Sequence, residues 1–127
     1  MNKIETNNAP AAIGPYVQGV DLGGLVITSG QLPINPTTKS MPENAAEQTL
    51  QSLNNALAIL KQAELDATNI VKTTVFVKDL NEFSVINGAY EAFFVQNNAP
   101  FPARSCVEVA RLPMDAKVEI EVIAIRS

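Results

Sequence analysis

The sequence contains no histidine and only one cysteine, and these two shortages exclude most familiar catalytic centres. Without histidine there is no Ser-His-Asp triad, no Cys-His pair and no His-Glu-x-x-His zinc site. A single cysteine forms neither an internal disulfide nor a Cys-x-x-Cys redox pair. Because a lone cysteine is typical of reducing compartments, we expect a cytoplasmic protein. The missing histidines give no reason to expect a metal centre.

Long apolar runs and clusters of positive charge are also missing. No apolar stretch approaches the roughly 20 residues of a membrane-spanning helix, and the first residues lack the apolar segment of a signal peptide. The net charge is −4, and the nine Lys and Arg residues are scattered singly. A surface that binds nucleic-acid phosphates needs clustered Lys and Arg. We therefore expect neither a membrane nor a nucleic acid as a partner.

The length of 127 residues, nearly half of them apolar, predicts one domain that spans residues 1–127. Residues 1–15 carry turn signals and are predicted to be mostly irregular. Residues 16–20 and 25–30 are predicted strands, and the Gly23-Gly24 pair between them is typical of a hairpin turn.

Two helices are predicted from apolar spacing and capping residues. Asn44 is a suitable N-cap with Glu47 three residues later, and the helix that follows is expected to end near residue 62 or 63. The second helix is expected to end before residues 97–100, which finish with a proline. The large side chains assigned to the core are Leu50, Leu53, Leu57 and Leu60 in the first helix and Phe93 and Phe94 in the second.

Residues 70–77 are rich in β-branched side chains and are predicted to form a central strand. Two further strands follow in the last third of the chain, so the predicted order is β-β-α-β-α-β-β, an α+β fold. Two helices cover only one face of such a sheet. The other face is therefore expected to contact water or a second copy of the chain.

Charged residues interrupt the last two strands, with Arg104 in the first and Glu119 and Glu121 in the second. A charge on the inward face of a strand costs several kcal/mol unless it is paired or hydrogen-bonded. These residues therefore either face water on an open sheet surface or line a pocket. Such a pocket offers a cation for an anionic ligand and a carboxylate for acid–base chemistry.

Side chains alternate between the two faces of a strand, which gives each charged residue its neighbours. Arg104, Cys106 and Glu108 share one face, and the other face, with Val107, is expected to lie under the helices. In the last strand the even-numbered residues from 118 to 124 are expected in the core. Glu119 lies on the opposite face with two isoleucines that need cover, which favours a pocket beside subunit contacts.

The sequence resembles the RidA/YjgF family, the reactive-intermediate (imine/enamine) deaminases, over essentially the whole chain. The matching segments are Pro-Ala-Arg-Ser at 102–105, Val107, Ala110, Leu112, Val-Glu-Ile at 118–120, Ala-Ile-Gly-Pro-Tyr at 12–16, Thr-Ser-Gly-Gln at 28–31, Val-Lys-Asp-Leu-Asn at 77–81, Phe83 and Asn87.

The resemblance implies a chorismate-mutase-like fold with two helices on one face of the sheet. It implies a homotrimer whose sheets face inward, with a cleft between each pair of subunits. It also implies hydrolysis of 2-imino acids and their enamine tautomers to 2-oxo acids and ammonia, without a cofactor. Pyridoxal-phosphate enzymes such as threonine dehydratase release these substrates, among them 2-iminobutanoate and 2-iminopropanoate.

The resemblance also assigns roles to individual residues. Arg104 is expected to bind the substrate carboxylate bidentately, and the alternative is an ion pair with Glu108 or Glu121. Glu119 is expected to activate the attacking water. The alternatives there are a solvated or inter-subunit paired Glu119, with Glu121 as the rival base.

Five more residues are expected to contact the substrate. Cys106 is interpreted as a pocket wall rather than a nucleophile, because no histidine is available to deprotonate it. Tyr16 is expected to reach the pocket from a neighbouring subunit, and Gly30 permits close backbone approach. Ser29 ends a strand beside the pocket, and Asn87 lies on the second helix.

Two other functions remain open on the sequence. The same clefts are also suitable for a protein that binds or senses 2-oxo acids without turnover. An RNA-directed activity is less compatible with the acidic balance and the missing histidines. The chain also departs from the family in the turn Thr38-Lys39-Ser40 and, after the first helix, at Glu64, since relatives commonly carry glycine there. A positive φ forced on a non-glycine residue would cost about 1 kcal/mol.

Overall fold

The computed structural model describes all residues, 1–127. Six strands and two helices form in the order β1 (Asn2–Ile4), β2 (Gly19–Asp21), β3 (Leu25–Thr28), α1 (Ala45–Gln62), β4 (Ile70–Val77), α2 (Phe83–Gln96), β5 (Ala103–Glu108) and β6 (Val118–Ile125). The strands make one sheet in the order β1-β2-β3-β6-β4-β5. Only β4 and β5, which α2 connects, run parallel.

Both helices pack on the same face of the sheet. The core combines α1 and α2 side chains with alternate residues of the central strands, namely Val26, Val75, Val77, Val118, Ile120, Val122 and Ala124. The other sheet face carries half-buried residues, among them Ile27, Phe76 and Ile123. The predicted α+β class, the two helices and the core face of β6 are therefore confirmed.

Helix α1 begins as its sequence predicts. The Asn44 side chain accepts a hydrogen bond from the Glu47 backbone N–H at 2.8 Å, and its amide donates to the Glu47 carboxylate at 2.9 Å. The assignment of Leu50 to the core is wrong, because this side chain is 37% exposed. The buried face of α1 is instead centred on the small residues Thr49, Ser52 and Ala56, which allow the helix to lie close to the sheet.

Two strand predictions in the first third need correction. Residues 16–18 are not in a strand, since β2 begins at Gly19, and the predicted irregular segment contains β1. β1 has only three residues, too few for a visible alternation, and it forms through antiparallel pairing with β2. The predicted hairpin is confirmed, with Gly23 at φ 96° and Leu22 N–H bonded to Leu25 O.

The face assigned to β5 is also wrong. Cys106 packs against the core while Val107 is 44% exposed, so the face that carries Arg104 is the one on the side of the helices. β5 is the edge strand of the sheet. Alternation alone does not show which of its two faces the helices cover, and α2 reaches the Arg104 side.

Glu64 lies in the left-handed region after α1, at φ 64°, where glycine has no steric cost. The Glu64 N–H bonds Lys61 O and the Leu65 N–H bonds Leu60 O, which is a Schellman arrangement. Lys39 has a similar φ of 66° in its turn. The turn at residues 38–40 and position 64 therefore each contain one non-glycine residue with positive φ, where relatives commonly carry glycine.

We expect Glu64→Gly to raise the free energy of unfolding by about 1 kcal/mol, because it removes the clash between Cβ and the carbonyl oxygen. Glu64→Ala is the matched control, since it removes the same charge and keeps Cβ. Urea unfolding of the two variants tests this. A Glu64→Ala gain equal to that of glycine would show that the charge, not the backbone, sets the effect.

Candidate active site

Arg104 lies on β5 beside Thr73 of β4, and its guanidinium is held by α2. Its Nη1 donates a hydrogen bond to Asn87 Oδ1 at 2.8 Å. The guanidinium carbon lies 4.8 Å from the centre of the Tyr90 ring and 5.4 Å from that of Phe83. The group is therefore oriented by one amide and two aromatic faces.

The Arg104 guanidinium makes no ion pair within the chain. The four ion pairs join Lys3 to Glu5, Lys78 to Asp115, Lys117 to Glu82 and Arg126 to Asp21. Glu108, one alternative partner, instead accepts a hydrogen bond from the Leu80 N–H at 2.9 Å. Glu121 lies on the other sheet face. The cation thus keeps donors free for an anionic ligand.

Cys106 lies two residues from Arg104 on the same face and packs against the core. Burial raises the pKa of the Cys106 thiol, and the positive charge of Arg104 offsets this only in part. A raised pKa keeps the thiol protonated, whereas a nucleophile must be a thiolate. The raised pKa gives no support to a nucleophile, and Cys106 lines neither the cavity at Arg104 nor the one at Glu119, so its role as a wall stays a prediction.

A second cavity, of about 400 Å³, brings together four of the predicted site residues. Tyr16, Ser29, Gly30 and Glu119 all line it. The cavity at Arg104 measures about 380 Å³ and is lined by Asn87, Tyr90, Glu91, Phe101, Pro102 and Arg104. The two cavities have no residue in common.

Glu119 is half-buried, and its carboxylate makes neither an ion pair nor a hydrogen bond within the chain. Its carboxylate lies against Gly30, where an added Cβ would be 2.8 Å from Oε2. Burial, and secondarily the negative charge of Glu121, raises the pKa of Glu119. A poorly solvated carboxylate with free lone pairs is suited to accept a proton from water.

Ser29 and Gln18 hold the segment that carries Tyr16. The Ser29 hydroxyl donates to Val17 O at 2.6 Å, so its hydrogen is already used within the chain. The buried Gln18 amide donates to Pro10 O at 2.8 Å and accepts from the Thr6 N–H at 2.7 Å. Sequence reasoning missed Gln18, since a single glutamine before a strand gives no signal of burial.

Met114 is a second residue that sequence reasoning missed. It lines the Glu119 cavity and lies at φ 58°, followed by Asp115 at φ 55°. Lys78 holds this turn through an ion pair with Asp115 of 2.9 Å. Methionine has no preference for the left-handed region, so nothing in the sequence indicates this conformation.

The Arg104 and Glu119 groups lie on opposite faces of the sheet. Arg104 pairs with Thr73, whose side chain is buried under the helices, and Glu119 pairs with Phe76 on the other face. Residues an odd number apart on β4 point in opposite directions. One chain therefore does not bring the predicted catalytic pair together but carries it in two candidate half-sites, the cavity at Arg104 and the cavity at Glu119.

No group of three or more His, Cys, Asp or Glu side chains is arranged to hold a metal ion. Neither helix is long and apolar enough to cross a membrane.

Comparison with known proteins places the chain in a family. The chain matches the Endoribonuclease L-PSP family over residues 6–126. It is 65% identical to the 2-iminobutanoate/2-iminopropanoate deaminase of Escherichia coli, over 97% of this chain and 96% of that protein. The crystal structure of the E. coli YjgF gene product has a TM-score of 0.99 at 62% identity, with full coverage of both chains. E. coli TdcF with bound serine has a TM-score of 0.98 at 54% identity, also with full coverage of both chains.

We expect Glu119→Gln to stabilise the protein at neutral pH. Because the folded protein binds the Glu119 proton more tightly than the unfolded chain does, ionisation of this group lowers stability as pH rises. The amide removes that cost, so the gain should disappear below the ordinary glutamate pKa of 4.5. Urea unfolding of the variant and the wild type at neutral pH and below pH 4.5 measures this difference in the free energy of unfolding.

The exposed Glu43→Gln is the matched control and should change stability at neither pH. A Glu119→Gln variant that is no more stable than the wild type at neutral pH would contradict the burial of an unpaired carboxylate.

Proposed function

Because the chain belongs to the Endoribonuclease L-PSP (RidA/YjgF) family, we propose that it is an imine deaminase. It hydrolyses 2-imino acids and their enamine tautomers, such as 2-iminobutanoate and 2-iminopropanoate, to 2-oxo acids and ammonia. The name of its 65% identical E. coli relative carries this activity. The observation that supports it in this chain is an oriented, unpaired arginine together with an unpaired carboxylate of raised pKa.

Arg104 anchors the substrate carboxylate. A guanidinium presents two parallel N–H groups to a carboxylate, and Asn87 occupies a donor of only one nitrogen. The substrate supplies the negative charge that the chain does not. Cys106 lines neither the Arg104 cavity nor the Glu119 cavity within one chain, and no step is assigned to its thiol.

Glu119 activates the water. The water oxygen bonds to C2 of the protonated imine as the C=N electron pair moves to nitrogen, and Glu119 accepts the released proton. Glu119 then returns this proton to the amine of the carbinolamine. The C–N bond breaks as the hydroxyl electrons form C=O, ammonia leaves, and the hydroxyl proton passes to solvent. Burial raises the pKa of Glu119 toward neutral pH, which strengthens the carboxylate as a base for the first transfer.

The two half-sites meet between subunits. In this proposal the Arg104 cavity of one copy faces the Glu119 cavity of the next, with Tyr16, Ser29 and Gly30 on the Glu119 side. A head-to-tail contact closes into a ring when the rotation between copies divides a full turn, and the proposed trimer with inward sheets uses the open face. The support from this chain is that Ile27, Phe76 and Ile123 there lack full cover.

Two further functions are weaker candidates. Capture of 2-oxo acids without turnover uses the same Arg104 cavity but gives no role to the unpaired Glu119. RNA cleavage is suggested only by the family's description. The net charge of −4 and the absence of histidine do not favour it, and Lys3, Lys78, Lys117 and Arg126 are already in ion pairs. We also propose that the protein is located in the cytoplasm.

We expect the protein to accelerate 2-oxobutanoate formation when threonine dehydratase acts on threonine. Arg104→Ala and Glu119→Ala should each lower kcat/KM by about 100-fold or more, because each removes a charged group from the reacting centre. Arg111→Ala is the matched control, an exposed arginine outside both cavities. Release of 2-oxobutanoate no faster than the spontaneous rate would overturn the deaminase assignment.

Cys106→Ala separates a wall from a nucleophile in the same assay. We expect the folded variant to retain most of the activity, because the thiol stays protonated. A folded but inactive Cys106→Ala would show that the sulfur takes part in the chemistry.

A further inference from the structure

Three side chains of α2 face the Arg104 guanidinium. Phe83, Asn87 and Tyr90 are spaced by four and three residues, so they lie on one face of the helix. Asn87 supplies the only hydrogen bond to the guanidinium, at 2.8 Å to Nη1. A single hydrogen bond leaves the planar group free to rotate about it, so the two rings must fix the plane.

Tyr90 is the closer ring and is itself held from behind. Its hydroxyl is hydrogen-bonded to Thr73 Oγ1 at 2.7 Å, and both residues are buried, at 5% and 0% exposure. The Phe94 ring packs against it with centroids 4.9 Å apart. The Tyr90 ring therefore cannot tilt away without breaking a buried hydrogen bond and an aromatic contact.

Thr73 connects this support to the strand that carries Arg104. It pairs directly with Arg104 in the parallel β4–β5 register. Thr73 therefore supports the Arg104 guanidinium through the Tyr90 ring and is also the strand partner of Arg104. Burial raises the pKa of Tyr90, which keeps the phenol neutral beneath the cation.

We propose that Tyr90, with Phe83 beside it, is a positioning residue that holds the plane of the Arg104 guanidinium ready for a substrate carboxylate. Arg104 lies exposed on an edge strand with no carboxylate partner, and ordering such a side chain on binding costs conformational entropy. The aromatic faces order it before binding. This inference rests on the proposed function only for the identity of the carboxylate.

Tyr90→Leu removes the ring and should raise KM for 2-iminobutanoate about tenfold, with kcat within about twofold. The dissociation constant for 2-oxobutanoate, measured by calorimetry, should rise by the same factor. Tyr90→Phe keeps the ring and should restore KM to within about threefold of the wild type. A purely structural role would instead lower kcat through loss of folded protein and leave KM unchanged, which would overturn the inference.

Phe83→Leu keeps the inference testable if Tyr90→Leu does not fold. Phe83 is only half-buried, and its loss should raise KM about threefold, because its ring lies farther from the cation. An unchanged KM in a folded Phe83→Leu would then refute the inference that the two aromatic rings hold the guanidinium plane. Calorimetry separates the positioning role of Tyr90 from the deaminase function. Wild type that binds 2-oxobutanoate but does not accelerate imine hydrolysis would refute the deaminase function alone.

Discussion

Side-chain alternation along β4 and its two neighbouring strands determines where Arg104 and Glu119, the two residues of the proposed reaction, are located. Thr73 and Phe76 point to opposite faces, and their partners Arg104 and Glu119 follow them. The cation therefore lies beside α2 and the carboxylate on the open face. Neither side chain can cross the sheet, so a shared site requires a second copy of the chain.

The Glu119 cavity is formed at a cost to stability. Burial of an unpaired Glu119 carboxylate is unfavourable, and the same environment is what raises its pKa. Met114 keeps a left-handed backbone at the rim of the Glu119 cavity. Arg104 is the opposite case, because aromatic faces and Asn87 stabilise its orientation without neutralising its charge. The cation half-site is ordered, and the carboxylate half-site is poorly solvated.

Local signals predicted the parts of this fold that depend on local physics. The Asn44 cap began α1 as expected, and β-branched residues gave β4 (Ile70–Val77) its observed bounds. The face of Arg104 was predicted wrongly because only the packing of α2 decides which side of an edge strand is covered. β1 (Asn2–Ile4) forms through pairing alone, and the conformation of Met114 has no sequence signature. The family resemblance supplied the candidate site residues, and the sheet register was needed to show that Arg104 and Glu119 lie on opposite faces.

The most direct measurement is complementation between two inactive variants. Arg104→Ala and Glu119→Ala are purified separately, unfolded, mixed in equal amounts and refolded together. If each site combines Arg104 of one copy with Glu119 of the next in a closed ring, random assembly should restore about a quarter of the wild-type activity. Each variant refolded alone provides the baseline. Activity that stays at this baseline, with wild type recovering fully under the same treatment, would contradict a site shared between subunits.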